Sequence, residues 1–141
     1  MADSAVLRLE EVVAGYGGLA VLNRTSFSAA RGAMTTIIGP NGAGKSTVFK
    51  TVFGLLAGRS GRIVYDGREV TNFSPRRLLE LGISYVPQGR NIFPELSVRH
   101  NLELGATAAA AGVDVAARIR SVVGRLPLLR GRPPPPGWAP S

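Results

Sequence analysis

A glycine-rich stretch carries the residues in this chain that are best suited to bind phosphate. It consists of Gly39, Pro40, Asn41, Gly42, Ala43, Gly44, Lys45, Ser46 and Thr47. The stretch satisfies the pattern G-x-x-x-x-G-K-[ST] in full. Its glycines allow the backbone to bend and to bring its amides against phosphate oxygens. The spacing therefore predicts a phosphate-binding loop, or P-loop.

The polar residues at the end of this loop have separate predicted roles. Lys45 is long enough to reach the β and γ phosphates of a nucleotide, and the Ser46 hydroxyl is suited to Mg²⁺. Thr47 adds another donor. A helix that follows the loop would present its positive N-terminal end to the anion.

The elements that must position the loop are predicted from the residues on either side. Residues 34–38 are rich in β-branched side chains and predict a buried strand. A helix is expected from about 45 to 53, with Gly54 as its stop signal. An ordinary glycine-rich turn before a helix is the alternative, and the order strand, loop, helix favours the P-loop.

The same patterns predict the remaining elements. Further strands are expected at residues 6–9, 25–29, 62–65 and 83–86, with turns at residues 31–32 and 66–67. Helices are expected after three capping residues: Ser74 (to about 81), Ser97 (to about 111) and Asp114 (to about 123).

Composition narrows the class of protein. The 141 residues are 45% hydrophobic and include no cysteine, which excludes a disulfide framework and a cysteine-ligated metal site. There is no apolar run of secretory-signal or membrane-spanning length, so a cytoplasmic protein without direct membrane insertion is expected. The net charge is +8, but the arginines are scattered, and no nucleic-acid partner is predicted.

The last nine residues differ in character from the rest. They read P-P-P-P-G-W-A-P-S, and proline both fixes φ and lacks an amide donor. We expect residues 1–132 to form one partial domain and residues 133–141 to form a disordered or polyproline-like tail.

Five segments resemble the ATP-binding subunit of ATP-binding cassette (ABC) transporters. They are E-V-V-A-G-Y-G-G (11–18), the P-loop, G-L-L-A-G-R-S-G-R-I-V-Y-D-G (54–67), Y-V-P-Q (85–88) and Q-G-R-N-I-F-P-E-L-S-V (88–98). The last is characteristic of branched-chain amino-acid importers and of the related urea importers, and we favour the former. The resemblance covers the N-terminal part of such a subunit.

The resemblance implies an α/β fold: an incomplete P-loop NTPase core with an antiparallel β portion near the N-terminus. It implies ATP and Mg²⁺ as cofactors. Tyr16 would stack on adenine, and Gln88 would join Ser46 at the metal or contact the attacking water. Without the family, Tyr16 reads as the anchor of a glycine-rich turn and Gln88 as a loop residue.

Partners also follow from the resemblance. Transmembrane permease subunits and a second ATP-binding subunit are implied, at the inner face of the cell membrane. Arg90, Ile92, Phe93 and Pro94 would lie near the surface that meets the permease. The alternative for these four is an exposed loop with apolar anchors.

Several parts of the family's catalytic cycle are not found in the sequence. It contains no L-S-G-G-Q signature, no apolar strand ending in Asp-Glu after Gln88, and no switch histidine. His100 falls on a predicted helix and is interpreted as a surface or packing residue. The resemblance stops at Pro133, which we interpret as a frame change or truncation.

ATP binding is therefore expected rather than hydrolysis, and no catalytic residue is assigned. Residues 35–38 and 63–65 are expected to be incompletely covered, with marginal stability and weak nucleotide affinity. The alternatives are another P-loop class such as a kinase or GTPase, a urea importer subunit, or a non-catalytic interaction fragment. Tyr16 and Y-V-P-Q argue against the first.

Overall fold

A computed structural model describes residues 5–89, 92–108 and 112–126. These fall into two compact units, one ending at Tyr85 and the other beginning at Val86. In chain order the elements are β1 (Ala5–Tyr16), β2 (Leu19–Ala30), α1 (Lys45–Val52), β3 (Gly58–Tyr65), β4 (Arg68–Glu69), α2 (Pro75–Glu80), α3 (Val98–Gly105), a 3-10 turn (Ala106–Ala108) and α4 (Val115–Arg125). The predicted tail at residues 133–141 lies outside the described residues.

The first unit contains an antiparallel sheet with the order β2-β1-β3-β4. β1 is longer than the predicted strand and pairs with β2 on one side and β3 on the other. Asp66 and Gly67 join β3 to β4 with φ of 49° and 77°, the left-handed pair that a tight hairpin turn requires. The predicted antiparallel portion near the N-terminus is confirmed.

One cluster of buried side chains joins this sheet to its two helices. The sheet contributes residues such as Leu9 and Ile63, α1 contributes Val48, and α2 contributes Leu78. Ile63 is only 2% exposed, whereas Val64 and Tyr65 are half-buried. The expectation that residues 63–65 would be incompletely covered is therefore wrong for Ile63. The reason is that β3 pairs with β1 on one side and β4 on the other, and Ile63 packs into the core.

Gly54 ends α1 as predicted. Its φ is +71°, and a Cβ at this position would lie 2.1 Å from the Phe73 carbonyl oxygen. Both the backbone conformation and the close approach of residue 73 therefore require glycine here. This contact fixes the exit of α1 against the segment that leads into α2.

The other three helices begin at the predicted capping residues. Ser74 Oγ accepts from the Arg77 amide (3.4 Å), Ser97 Oγ from the His100 amide (3.2 Å), and Asp114 Oδ1 from the Ala117 amide (2.9 Å). α3 is shorter than predicted, because it passes into the 3-10 turn after Gly105. Within the described ranges, no helix combines the length and the apolar character needed to cross a bilayer.

Two predicted strands, at residues 34–38 and 83–86, are not formed. Met34, Ile38 and Val86 are 94%, 89% and 89% exposed. A strand is stabilised by hydrogen bonds to a neighbour, and in the part of the chain that the structure describes no strand pairs with either segment. The β-branched composition was therefore not sufficient, and the expectation that residues 35–38 would be incompletely covered is confirmed.

Candidate nucleotide-binding site

The P-loop turns sharply into α1 at two glycines. Gly42 and Gly44 have φ of +84° and +87°, a conformation that side chains with a Cβ rarely adopt. A Cβ on Gly44 would lie 3.2 Å from Leu22 Cδ2 and 3.3 Å from Val21 Cγ1. β2 therefore packs directly against the end of the loop and holds the start of α1 in place.

The N-terminus of α1 differs from those of the other helices in having no side-chain cap. Gly44 occupies the capping position, and the first turn contains no acidic residue. The first amides of a helix have no partner within it, and the helix dipole adds positive potential at this end. The amides at this end of α1 are therefore suited to donate hydrogen bonds to a phosphate oxygen.

Lys45 holds its charge over the loop. Its Nζ donates to the carbonyl oxygen of Gly39 at 2.7 Å and to that of Pro40 at 2.6 Å. An ammonium group has three donors, so this arrangement leaves one for a ligand. The Ala43 amide donates to the Pro40 carbonyl oxygen at 3.3 Å. This bond closes a turn whose two middle residues, Asn41 and Gly42, are exposed.

Ser46 and Thr47 lie in opposite environments. Ser46 is exposed at the first turn of α1, whereas Thr47 is 6% exposed and belongs to the buried side of the helix. Mg²⁺ at nucleotide sites takes few protein oxygens and completes its coordination with phosphate and water. A single exposed hydroxyl at Ser46 fits that requirement.

Tyr16 ends β1 and lies beside the same helix. Its side chain is 48% exposed, and Lys50 Nζ of α1 lies 5.8 Å from the centroid of its ring. The structure thus places the P-loop at the start of α1 and Tyr16 beside the later turns of the same helix. A half-exposed ring can offer a π-face to a base.

Sequence reasoning missed two basic residues around Tyr16. Lys50 faces the Tyr16 ring. Arg59 on β3 donates to the backbone carbonyls of Gly18 and Leu19, in the turn that follows Tyr16. Lysine at position 50 has no motif to mark it. Arg59 becomes visible only when the pairing of β1 with β3 is known, because 40 residues separate it from Leu19.

Gln88 belongs to the second unit and is exposed. In that unit Ile92 and Phe93 are 65% and 60% exposed, while Arg90 lies outside the described residues. The Phe93 backbone amide donates to Asn101 Oδ1 (2.9 Å), and Asn101 Nδ2 donates to the Phe93 carbonyl oxygen (3.0 Å). His100 is exposed on α3. The metal role of Gln88 and the permease contacts of this segment remain predictions.

Comparison with known proteins places the chain in a family. A sequence model described as "ABC transporter" matches residues 22–133. A probable branched-chain amino acid transport ATP-binding protein, LivF of Archaeoglobus fulgidus, is 36% identical over 125 residues, covering 89% of this chain and 52% of the relative. The arabinose import ATP-binding protein AraG of Vibrio parahaemolyticus is 40% identical over 115 residues, covering 79% and 23%.

A solved structure shows the same fold. MJ1267, described as an ATP-binding cassette of an ABC transporter, matches with a TM-score of 0.79 and 27% identity, covering 89% of this chain and 55% of that one. The chain thus spans about half the length of LivF and of MJ1267, and about a quarter of the length of AraG. The α/β fold of an incomplete ATP-binding cassette is confirmed. With a family match over most of its length, the chain belongs to the ABC transporter family.

Proposed function

We propose that this chain binds ATP with Mg²⁺ through its P-loop, as the ATP-binding part of an ABC importer. The observation that carries the proposal is the start of α1, where a left-handed glycine replaces a side-chain cap and Lys45 holds its ammonium over the loop. Phosphate is the ligand class that such an arrangement recognises. Membership of the ABC transporter family supports ATP as the nucleotide.

Each residue of the site then has a defined task. The first amides of α1 and the free donor of Lys45 bind phosphate oxygens, and Tyr16 stacks on adenine. Ser46, with Gln88 as a second candidate, would hold Mg²⁺, which supplies charge neutralisation at the phosphates. Hydrolysis is not assigned to this chain.

An importer also needs a permease. We propose that this chain works at the inner face of the membrane with transmembrane permease subunits and a second ATP-binding subunit. The names of the relatives, which are transport or import ATP-binding proteins, support an importer. The exposed apolar side chains of Ile92 and Phe93 are a candidate contact for the permease.

Branched-chain amino acids are the solute class we favour. The segment at residues 88–98 and the likeness to LivF support this choice. The likeness to AraG keeps sugar import as a second candidate, and a urea importer remains an alternative from the sequence. Co-purification tests the choice: the chain should associate with a branched-chain amino-acid permease, and association with a sugar or urea permease instead would contradict it.

Nucleotide binding is tested with two variants that lose the same charge. Lys45→Ala removes the ammonium over the loop, whereas Arg76→Ala removes an exposed cation that pairs with Glu80 on α2. Hydrogen bonds to charged groups contribute about 1.5–3 kcal/mol, so Lys45→Ala should weaken ATP binding at least about 10-fold. Arg76→Ala should leave the affinity nearly unchanged.

The assay also separates this proposal from a non-catalytic interaction fragment. Equilibrium titration with a fluorescent ATP analogue and Mg²⁺ gives the dissociation constants of the wild type and both variants. Equal and negligible binding by the wild type and Lys45→Ala would contradict the proposal and favour the interaction fragment.

A further inference from the structure

An arginine on β3 fastens the turn that follows Tyr16. Arg59 Nη1 donates to the Gly18 carbonyl oxygen at 2.8 Å, and Nη2 donates to the Leu19 carbonyl oxygen at 3.4 Å. A guanidinium group is a planar, rigid fork, so two bonds to successive carbonyls fix the turn in position and orientation.

The turn itself is shaped to receive this fork. Gly17 and Gly18 have φ of +50° and +93°, and a Cβ on Gly15 would lie only 1.9 Å from the Leu19 carbonyl oxygen. The absence of a side chain at position 15 therefore leaves room for the carbonyl that Arg59 contacts. Because Leu19 pairs directly with Tyr16 across the hairpin, holding Leu19 also constrains Tyr16.

An asparagine binds the residue that precedes Arg59 in the chain. The Gly58 amide donates to Asn72 Oδ1 at 2.8 Å, and Asn72 Nδ2 donates to the Gly58 carbonyl oxygen at 3.1 Å. This two-way contact holds the start of β3, immediately before Arg59. The result is a connected path from Asn72 through Arg59 to the turn beside Tyr16.

We infer that Arg59 is a positioning residue that holds Tyr16 in place for an adenine base. The inference rests on the proposed ATP site. Arg59 acts through the backbone of the turn, because its guanidinium group donates to the Gly18 and Leu19 carbonyl oxygens. It should therefore contribute to recognition of the base and not to recognition of the triphosphate.

Two ligands separate these contributions. ATP reports base and phosphate together, whereas inorganic tripolyphosphate reports the P-loop alone. Both are titrated with Mg²⁺ against the wild-type chain and against Arg59→Ala, Arg59→Lys, Tyr16→Ala and the double variant Tyr16→Ala/Arg59→Ala. Arg62→Ala is the matched control, because Arg62 lies on the same strand but pairs with Glu10.

We expect Tyr16→Ala to weaken ATP binding about 10-fold, which is within the range for base stacking on an aromatic ring. Arg59→Ala should lose about 3- to 10-fold, and Arg59→Lys a similar amount because a lysine cannot form the fork. Tripolyphosphate affinity should be unchanged in all of them. The double variant should bind ATP no more weakly than Tyr16→Ala alone, since the two residues act as one unit.

Four results would overturn the inference. Equal losses for ATP and tripolyphosphate in Arg59→Ala would indicate a general structural role. An unchanged ATP affinity, or a further loss from Arg59→Ala in the Tyr16→Ala background, would show that Arg59 does not act through Tyr16. Failure of the wild-type chain to bind either ligand would overturn the proposed ATP site, and this inference with it, and is recognised before any variant is compared.

Discussion

Tyr16 shows how a single residue gains meaning from its surroundings. By sequence alone it is a tyrosine before two glycines, equally consistent with the anchor of a turn. In the structure it is half exposed beside α1, with Lys50 near its ring. Its ring is therefore available to a ligand, while its backbone is held by the hairpin.

Substitutions at Tyr16 separate stacking from hydrogen bonding. Stacking needs only a π-face, so Tyr16→Phe should retain ATP affinity to within about twofold. Tyr16→Leu should lose about 10-fold, as expected when an aromatic partner of a base is removed. Equilibrium titration with ATP measures both, and equal affinities for Phe and Leu variants would show that the ring does not stack.

Gly54 offers a second prediction at the level of one residue. Gly54 and Gly67 both have positive φ. A Cβ at position 54 would lie 2.1 Å from the Phe73 carbonyl oxygen, whereas a Cβ at position 67 would have nothing within 4 Å. Gly67→Ala should cost about 1–2 kcal/mol of unfolding free energy from the backbone alone. Gly54→Ala should cost roughly 2–5 kcal/mol, because the clash is added.

Urea denaturation of both variants compares these costs directly. Equal destabilisation would mean that the approach of Phe73 to the end of α1 does not constrain that helix.

Among the elements, α2 contributes one buried residue to the core. Leu78 is 0% exposed in the core, whereas its neighbour Leu79 is 37% exposed. Leu78→Ala should lower the unfolding free energy by about 2–5 kcal/mol, from lost burial and the cavity that remains. Leu79→Ala removes the same atoms from a more exposed position and should cost less than about 1 kcal/mol.

Thermal or urea unfolding of the two leucine variants distinguishes these outcomes. If Leu79→Ala were as destabilising as Leu78→Ala, α2 would have to pack with its other face toward the core.

Local signals were sufficient for elements that carry their own start and stop. Ser74, Ser97 and Asp114 cap helices as their types predict, and Gly54 ends α1. Capping and left-handed turns depend on a few neighbouring residues, so the sequence reveals them directly.

Local signals failed where an element depends on a distant partner. Residues 34–38 have the composition of a buried strand, but composition cannot supply the neighbour that a strand needs. The role of Arg59 was hidden for the same reason, because it depends on the pairing of β1 with β3. The P-loop pattern can be recognised from the sequence because its residues are contiguous, and its phosphate-binding role stays a prediction.

Within the first unit, the sheet is better covered than residues 35–38, the segment before the P-loop. β1 is paired on both sides, whereas a groove of about 460 Å³ lies between β2 and residues 35–38. LivF and MJ1267 are about twice as long as this chain. In the segment before the P-loop, Thr35, Thr36 and Ile38 are exposed and Ile37 is half-buried.

Hydrogen exchange should reproduce this contrast. Amides of β1 around Leu9 should be strongly protected from exchange, because this part of the strand is buried and pairs with β2 on one side and β3 on the other. Amides at residues 35–38 should exchange rapidly in the chain alone. Equal protection of both segments, measured by exchange and mass spectrometry, would show that residues 35–38 are paired in solution.

Phosphate binding at the first turn of α1 underlies the proposed function. The most direct measurement is a titration of the ¹⁵N-labelled chain with ATP and Mg²⁺, followed by amide chemical shifts. The amides of Gly44, Lys45 and Ser46 should shift most and saturate with ATP, and Lys45→Ala should raise the ATP concentration at half-saturation at least about 10-fold. Shifts confined to other parts of the chain, or a response that Lys45→Ala leaves intact, would contradict the account.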